Sequence, residues 1–496
     1  MSAKRNLKLS AEGIIIIALA VIFMLSVVTH YQDYTFWYDE LCTISFVRLP
    51  RSLGELLHIF LTDEVTNLPL YDVILWFWYR IVPHTEGFLL FPNLIFYITG
   101  VLCLTGVLKK VTGNDRAGLL FVFFAFANPF AVKSVINELR AYALLYMLAS
   151  VTLMQFIPRI PELGAGKEAQ ADEKRAGELT GYSVSLLLLS FTHYFGVLFA
   201  AELFAVELFM RIKRKKGRSF AEIIAVYMIP LALCGAWVIS AMTMKRRNID
   251  SFWVDVPGIR EIFGTVNSIC GHIPALTLFI ALMMIIYILF VIISKRKTGD
   301  VRLAAMLSVL VILIFAAVLI YSVVISRSGG LFVQRYFTVI MPALQMTEAL
   351  ALYALAEGIA GKIKKDAGWI SLLAPVPVIC VMILCGAKEF KYAYTEYIVD
   401  GEDAEDIHDE EVDVDPAEVL VILERPSDII DEYGRDGWAE FYLRDRGYRT
   451  VWEEDAALLR DYDRVSVYPV DLDEDLDPVL FEGYTEGPDG FWKREK

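Results

Sequence analysis

The chain has 496 residues, 56% of them hydrophobic, with a mean hydropathy of +0.50. Its apolar residues come in long runs rather than at helical or strand period, which excludes an ordinary soluble domain. The net charge of −14 is unevenly spread: from Lys388 onward 12 Lys and Arg face 34 Asp and Glu, while the preceding residues hold 34 against 26, so a basic membrane part is fused to an acidic tail that argues against nucleic acid as a partner.

Many runs reach the roughly 20 residues that a bilayer-spanning helix needs. The first covers about Gly13 to Thr29 behind Lys4, Arg5 and Lys8; no small-residue cleavage site follows, so it reads as a retained span with its basic end in the cytoplasm. The chain then emerges as Phe36-Trp37-Tyr38-Asp39-Glu40-Leu41, two adjacent carboxylates behind three aromatic rings. From Arg51 to Phe60 the apolar residues recur at three- and four-residue spacing, as in a helix lying on the membrane. Leu68 to Val82 would be a helix of about 22 Å, short of the roughly 30 Å hydrocarbon core, and its tryptophans and tyrosines prefer the interface. It reads as a second surface helix that does not cross, and this choice fixes the sidedness of everything after it.

The remaining spans then fall at about Phe88–Leu108, Ala117–Val132, Ala141–Ile157, Tyr182–Thr192, a run from the turn at His193-Tyr194-Phe195-Gly196 to the basic cluster Arg211–Lys216, Ala221–Met242, a run from Pro274 to Lys295, Leu303–Ser326, a run from Arg335 to Lys362, and Ile370–Cys385. The polar stretch Pro158–Leu179 and an outer loop reaching Pro274 separate some of them. Basic clusters after the second, sixth, eighth and tenth spans all land in the cytoplasm, as the positive-inside rule requires. Lys245-Arg246-Arg247 is an outward exception. The six cysteines lie mostly in or beside apolar runs without a CxxC pair and read as small packing residues, with a Cys42–Cys270 bridge the less favoured alternative. The expected architecture is a polytopic α-helical membrane protein of about eleven spans, with surface helices in the first outer loop and a small extracytoplasmic α/β domain. Its parts are a membrane domain at 1–387, an acidic linker at 388–415 and the outer domain at 416–496. In that domain Val419–Leu423 and Val465–Tyr468 read as strands, and Ser427–Arg444 as a helix with Ser427 at its N-cap.

Candidate chemistry gathers at the outer ends of spans: Asp39 and Glu40; Glu138, Arg140 and Tyr142; His193 and Tyr194; Arg335 and Tyr336. Singly each has a plain reading: a hydrated acidic pair, an arginine snorkelling to headgroup phosphates, a hydrogen-bonded turn histidine, an interfacial Arg-Tyr anchor. Together, carboxylates and guanidiniums on one side and at one depth point to phosphate chemistry at the membrane surface.

The ordered set of Asp39-Glu40, Pro69-Leu70-Tyr71, Glu138 to Leu144, Thr192 to Gly196 and Arg335 to Leu344 resembles the polyprenyl-phosphate-sugar-dependent glycosyltransferases of the GT-C fold. Protein O-mannosyltransferases and lipid A aminoarabinose transferases are similar relatives. The resemblance covers about Met1 to Leu344, although Leu68 stands where the family often has a first proline and no arginine occurs at Phe88–Pro92. It implies a glycosyltransferase at the cell membrane, N-terminus cytoplasmic. The sugar, hexosyl or pentosyl, would leave a polyprenyl phosphate for a hydroxyl of a lipid, glycan or protein acceptor, by direct inverting displacement. Asp39 would be the base, Glu40 or Glu138 would position acceptor or sugar, and Arg140 and Arg335 would stabilise the departing phosphate with help from His193 or Lys245–Arg247. No cofactor is certain; a divalent metal is compatible with the carboxylates, but no ligand spacing supports it. A transporter or lipid flippase is the alternative, which midplane charges and paired broken helices would favour. A non-enzymatic sensor, with the tail as ligand-binding domain, is a third reading.

Overall fold

The computed structural model describes residues 11–28, 36, 38–62, 67–113, 115–160, 172–214, 220–244, 256–293, 298–325 and 331–363, and five tail strands within 419–494. The helices are α1 (Ala11–Val28), α2 (Tyr38–Arg48), α3 (Leu53–Thr62), α4 (Leu70–Tyr79), α5 (Glu86–Thr112), α6 (Asp115–Ala127), α7 (Pro129–Ala131), α8 (Tyr142–Phe156), α9 (Asp172–Ser190), α10 (Tyr194–Arg214), α11 (Phe220–Met244), α12 (Ile259–Ile269), α13 (Pro274–Ile293), α14 (Gly299–Ile320) and α15 (Met341–Ile363). Among the described residues five helical stretches are long and apolar enough to cross a membrane: α5, α11, α13, α14 and α15 with its lead-in; α6 and the segment after it make a sixth if counted together. The chain is a multi-pass helical membrane protein. The expected span at Ile370–Cys385, the clusters Lys245–Arg247 and Lys295–Lys297, the acidic linker and the helix at Ser427–Arg444 lie outside the described residues.

The chain packs as two compact units. One comprises residues 1–30, 60–71 and 90–393, the other 31–59, 72–89 and 394–496. In the first, α15 is the centre: 83% of its apolar stretch is buried, against 28% for α11 and α13, whose exposed leucines and isoleucines face outward. Rings fill the core beside it. Tyr97 of α5 and Tyr146 of α8 lie 4.5 Å apart, and Tyr146 donates to Gln345 Oε1 of α15 at 2.7 Å. Phe23 of α1 stacks on Phe126 of α6.

Several expectations change. The span at Ala117–Val132 is broken: α6 stops at Ala127 and the chain bends by 59°. Pro129 removes a backbone donor and clashes with the preceding turn, and Asn128 caps the new start. The helix expected from Tyr182 begins at Asp172, because Glu, Lys, Arg, Ala and Leu continue a helix well past the apolar stretch. The loop ending at Pro274 contains α12. Charges are not confined to span ends: Glu202 and Glu207 of α10 and Glu348 of α15 are buried within their helices.

In the second unit Asp39 and Glu40 sit not in a loop but in the first turn of α2, where negative charge complements the helix dipole, with Arg48 in the last turn. The end of α2 is held by α4. Arg80 Nη1 donates to the Val47 carbonyl at 3.0 Å, its guanidinium lies 3.7 Å from the Trp76 ring centre, and Trp76 Nε1 donates to the Pro50 carbonyl. These bonds occupy carbonyls that the helix end and the following turn leave open. Helix α3 begins where the sequence places it: Ser52 Oγ accepts from Glu55 N, and the Glu55 carboxylate accepts from Arg51 N. At ten residues, α4 spans about 15 Å, too short to cross.

The tail strands β1 (Val419–Leu423), β2 (Arg449–Trp452), β3 (Arg464–Tyr468), β4 (Tyr484–Glu486) and β5 (Trp492–Arg494) form one sheet in the order β2-β1-β3-β5-β4. Strand β1 is parallel to both neighbours, while β5 is antiparallel to β3 and β4. The parallel centre matches the continuous Val-Leu-Val-Ile-Leu run. Cys42, Cys103, Cys234 and Cys270 are thiols.

Candidate active site

Three chain turns converge at one end of the first unit. The first follows the bend at Asn128, whose Oδ1 accepts from Phe130 N and Ala131 N and whose Nδ2 donates to the Ile269 carbonyl. The chain then widens into a π turn, Val132–Ile136, closed by Asn137 N donating to the Val132 carbonyl at 3.0 Å. Such turns re-aim the residues after them. Here they deliver Asn137, Glu138 and Arg140 to the mouth of α8, with Arg140 N bonded back to the Glu138 carbonyl at 2.7 Å. The second turn, Phe191–His193, joins α9 to α10. A side chain at Gly196 would overlap the Leu189 carbonyl, so glycine is required for the two helices to meet there. The third is a 3₁₀ helix, Gln334–Ile340, leading into α15.

The Pro69-Leu70-Tyr71 motif braces two of these turns. Leu70 N donates to the Phe191 carbonyl at 3.1 Å. Tyr71 donates to Asn93 Oδ1 at 3.1 Å, and Asn93 Nδ2 donates to the Glu138 carbonyl at 2.6 Å and the Ile136 carbonyl at 3.3 Å. Asn93 is fully buried on α5 and was not among the sequence candidates. A lone polar residue inside an apolar span was the available signal.

The side chains so placed form one cluster. Arg335 Nη1 lies 3.9 Å from Glu138 Oε2, an ion pair beyond hydrogen-bond distance. The ring of Tyr336 lies 5.1 Å from His193, 5.2 Å from Phe195 and 6.5 Å from Tyr142, and His193 lies 5.9 Å from Tyr142. His193 Nδ1 accepts from Phe195 N at 3.2 Å, which leaves the proton of the neutral ring on Nε2. Burial, followed by the charges of Arg140 and Arg335, pushes its pKa down to about 3. It is therefore a neutral hydrogen-bond donor at physiological pH. Both guanidiniums thus lie near enough to this imidazole for their charges to act on it.

Six sequence candidates thus meet in the first unit: Glu138, Arg140, Tyr142, His193, Arg335 and Tyr336. Tyr194 opens α10 beside them and is half-buried. Asp39 and Glu40 belong to the second unit. Glu40 is fully buried, which rules out a merely hydrated acidic surface for it; Asp39 is half-buried, and its carbonyl accepts from Thr43 Oγ1 at 3.0 Å. Among the described residues no group of three or more His, Cys, Asp or Glu could hold a metal ion.

The chain is similar in structure to ArnT from Cupriavidus metallidurans bound to undecaprenyl phosphate, with a TM-score of 0.57 at 12% identity over 97% of this chain and 98% of that one. It is similar to the apo state of the same protein, with a TM-score of 0.51 at 12% identity over 93% of each chain. A third similar structure, the apo Archaeoglobus fulgidus oligosaccharyltransferase, has a TM-score of 0.48 at 11% identity over 88% of this chain and 64% of that one. No family model and no curated protein matches the sequence. The likeness to the two ArnT structures is one of fold, and the fold is GT-C.

Proposed function

We propose that this chain is an integral-membrane glycosyltransferase that moves a sugar, hexosyl or pentosyl, from a polyprenyl-phosphate donor to an acceptor hydroxyl on the extracytoplasmic side. The observation that carries the reading is the convergence of Arg335, Glu138 and Arg140 on the neutral His193, at a helix mouth lined by aromatic rings. ArnT, whose fold the chain shares, binds undecaprenyl phosphate, which supports a ligand with an apolar tail and a phosphate head.

The reaction forms a bond from the acceptor oxygen to the sugar's anomeric carbon and breaks the bond from that carbon to the phosphate oxygen. The departing polyprenyl phosphate carries one more negative charge than the donor. Arg140 and Arg335 match phosphate oxygens as planar forks and stabilise that charge. The Nε2–H of His193 donates a further hydrogen bond without adding a proton to be lost. Glu138 holds Arg335 and offers its carboxylate to a sugar hydroxyl, and the rings of Tyr142 and Tyr336 flank the sugar. Tyr194 is a further substrate contact. Asp39 takes the acceptor's proton as general base, on the strength of its motif and of its helix terminus, and Glu40 orients the acceptor. In this reading 1–387 is the catalytic membrane domain of about eleven spans, 388–415 a linker, and 416–496 an α/β domain outside the cell.

The test is transfer from a panel of polyprenyl-phosphate sugars by wild type, Asp39→Asn and Arg335→Ala. Loss in both variants supports the roles; equal turnover in all three overturns them. A flippase or transporter is favoured by one observation: Glu202 and Glu348 are buried within α10 and α15, as midplane acids of transporters are. Detergent micelles separate the readings. A transferase makes product without two compartments, whereas a transporter does not.

A further inference from the structure

Helix α12 is built inside out. Thr265 and Ser268 are buried against the bundle, whereas Ile259 is 88% and Phe263 44% exposed, with Ile262 and Val266 half-buried between them. At 100° per residue these four apolar positions make one face of the helix; the buried Thr265 and Ser268 lie away from it, with Ile269 buried beside them and Glu261 exposed at the first turn. A helix at a water-bathed surface shows the reverse order.

The helix is also fixed in place. Its last turn closes on Gly271 and His272, at φ of 93° and 60°, with His272 N donating to the Asn267 carbonyl at 2.8 Å. Asn267 Oδ1 accepts from Thr277 Oγ1 of α13, and the Ile269 carbonyl accepts from Asn128. After this turn α13 starts at once as a span whose exposed stripe includes Leu278, Leu282, Ile285 and Leu289. The apolar face of α12 is thus continuous along the chain with a surface that lipid covers.

We propose that α12 is an interfacial helix that lays Ile259, Ile262, Phe263 and Val266 into the acyl chains of the leaflet at the site's end of the bundle, with Thr265 and Ser268 toward the protein and Glu261 toward water. The partner is the bilayer, and the depth is that of an amphipathic helix, about 5–10 Å below the headgroups. Nothing in this depends on sugar transfer.

The test uses the full chain in phosphatidylcholine vesicles. A fluorophore is placed on Ile259→Cys, Phe263→Cys or Glu261→Cys, with labelled wild type as the blank. Lipid-borne nitroxide near the headgroup should quench positions 259 and 263, and aqueous iodide should quench position 261. Iodide quenching of 259 and 263, or resistance there to both quenchers, overturns the proposal. In unmodified protein, a lipid bearing a diazirine should leave adducts on the peptide containing 259–266. A peptide without adducts, beside labelled α13, overturns it as well.

Discussion

The ion pair from Arg335 Nη1 to Glu138 Oε2, at 3.9 Å, fixes a guanidinium and a carboxylate side by side in the first unit. In the proposed role that guanidinium would bind phosphate oxygens as a planar fork. Arg335→Ala should cut transfer by roughly 100-fold or more, and Arg335→Lys should recover only part of that, since a point charge cannot bind as a fork. His193 gives a pH prediction. Its pKa falls from 6.5 in the unfolded chain to about 3 in the fold, so the fold disfavours the protonated ring. The stability this contributes is fully present above 6.5 and is lost as pH falls from there toward 3. Melting temperature against pH should show this acid-side loss in wild type and less of it in His193→Gln, while the transfer rate of wild type should show no inflection near 6.5 from this group. Asn93→Ala strips donors from the Glu138 and Ile136 carbonyls, at a cost of about 1–3 kcal/mol, and should raise the KM for donor more than the same change at an exposed asparagine.

Between helices, a second polar knot holds the bundle far along α10 from the site. Arg159 binds Glu207 through both oxygens at 2.9 and 3.1 Å, Tyr227 donates to the same carboxylate, and Tyr182 and Tyr227 share a 2.7 Å bond. It ties the segment after α8 to α9, α10 and α11, with the Arg159 and Glu207 side chains only 6% and 3% exposed. Glu207→Leu leaves a buried guanidinium unpaired and should cost about 3–5 kcal/mol; replacing Arg159 by Met in the same chain should recover much of it. Thermal unfolding in one detergent reads both. None of these pairings was visible in the sequence, because partners 20 to 48 residues apart carry no local signal. What was visible follows period and length. The apolar runs gave α5, α8, α11, α13 and α14 to within a few residues, and Val-Leu-Val-Ile-Leu gave β1. Helix α2 was missed because Asp39-Glu40 read as a polar exit, and α12 because its polar residues face inward.

For the whole molecule, the decisive inference is parity. On the proposed topology the ten-residue α4 does not cross, and the basic clusters after the second, sixth, eighth and tenth spans are then expected on the cytoplasmic side, with Lys245–Arg247 the outward exception. A cysteine placed at Lys110 should be closed to a membrane-impermeant thiol reagent in intact cells, and one at Gly490 open to it. The reverse pattern would invert the protein and put the Arg335 cluster inside. The candidate residues were found in the sequence because they recur at helix mouths. The grouping of six of them, and the separate unit that holds Asp39 and Glu40, follow from the fold and not from spacing along the chain.

The 3₁₀ segment from Gln334 to Ile340 has one more implication. It advances about 2.0 Å and 120° per residue, where an α-helix advances 1.5 Å and 100°. Rewinding the six steps from Arg335 to Met341 as α would swing the guanidinium through about a third of a circle and retract it by about 3 Å. In the proposed role the grip on an anion would therefore be coupled to the pitch of a single turn, and a substitution that favours α winding there would loosen it without touching a charged atom.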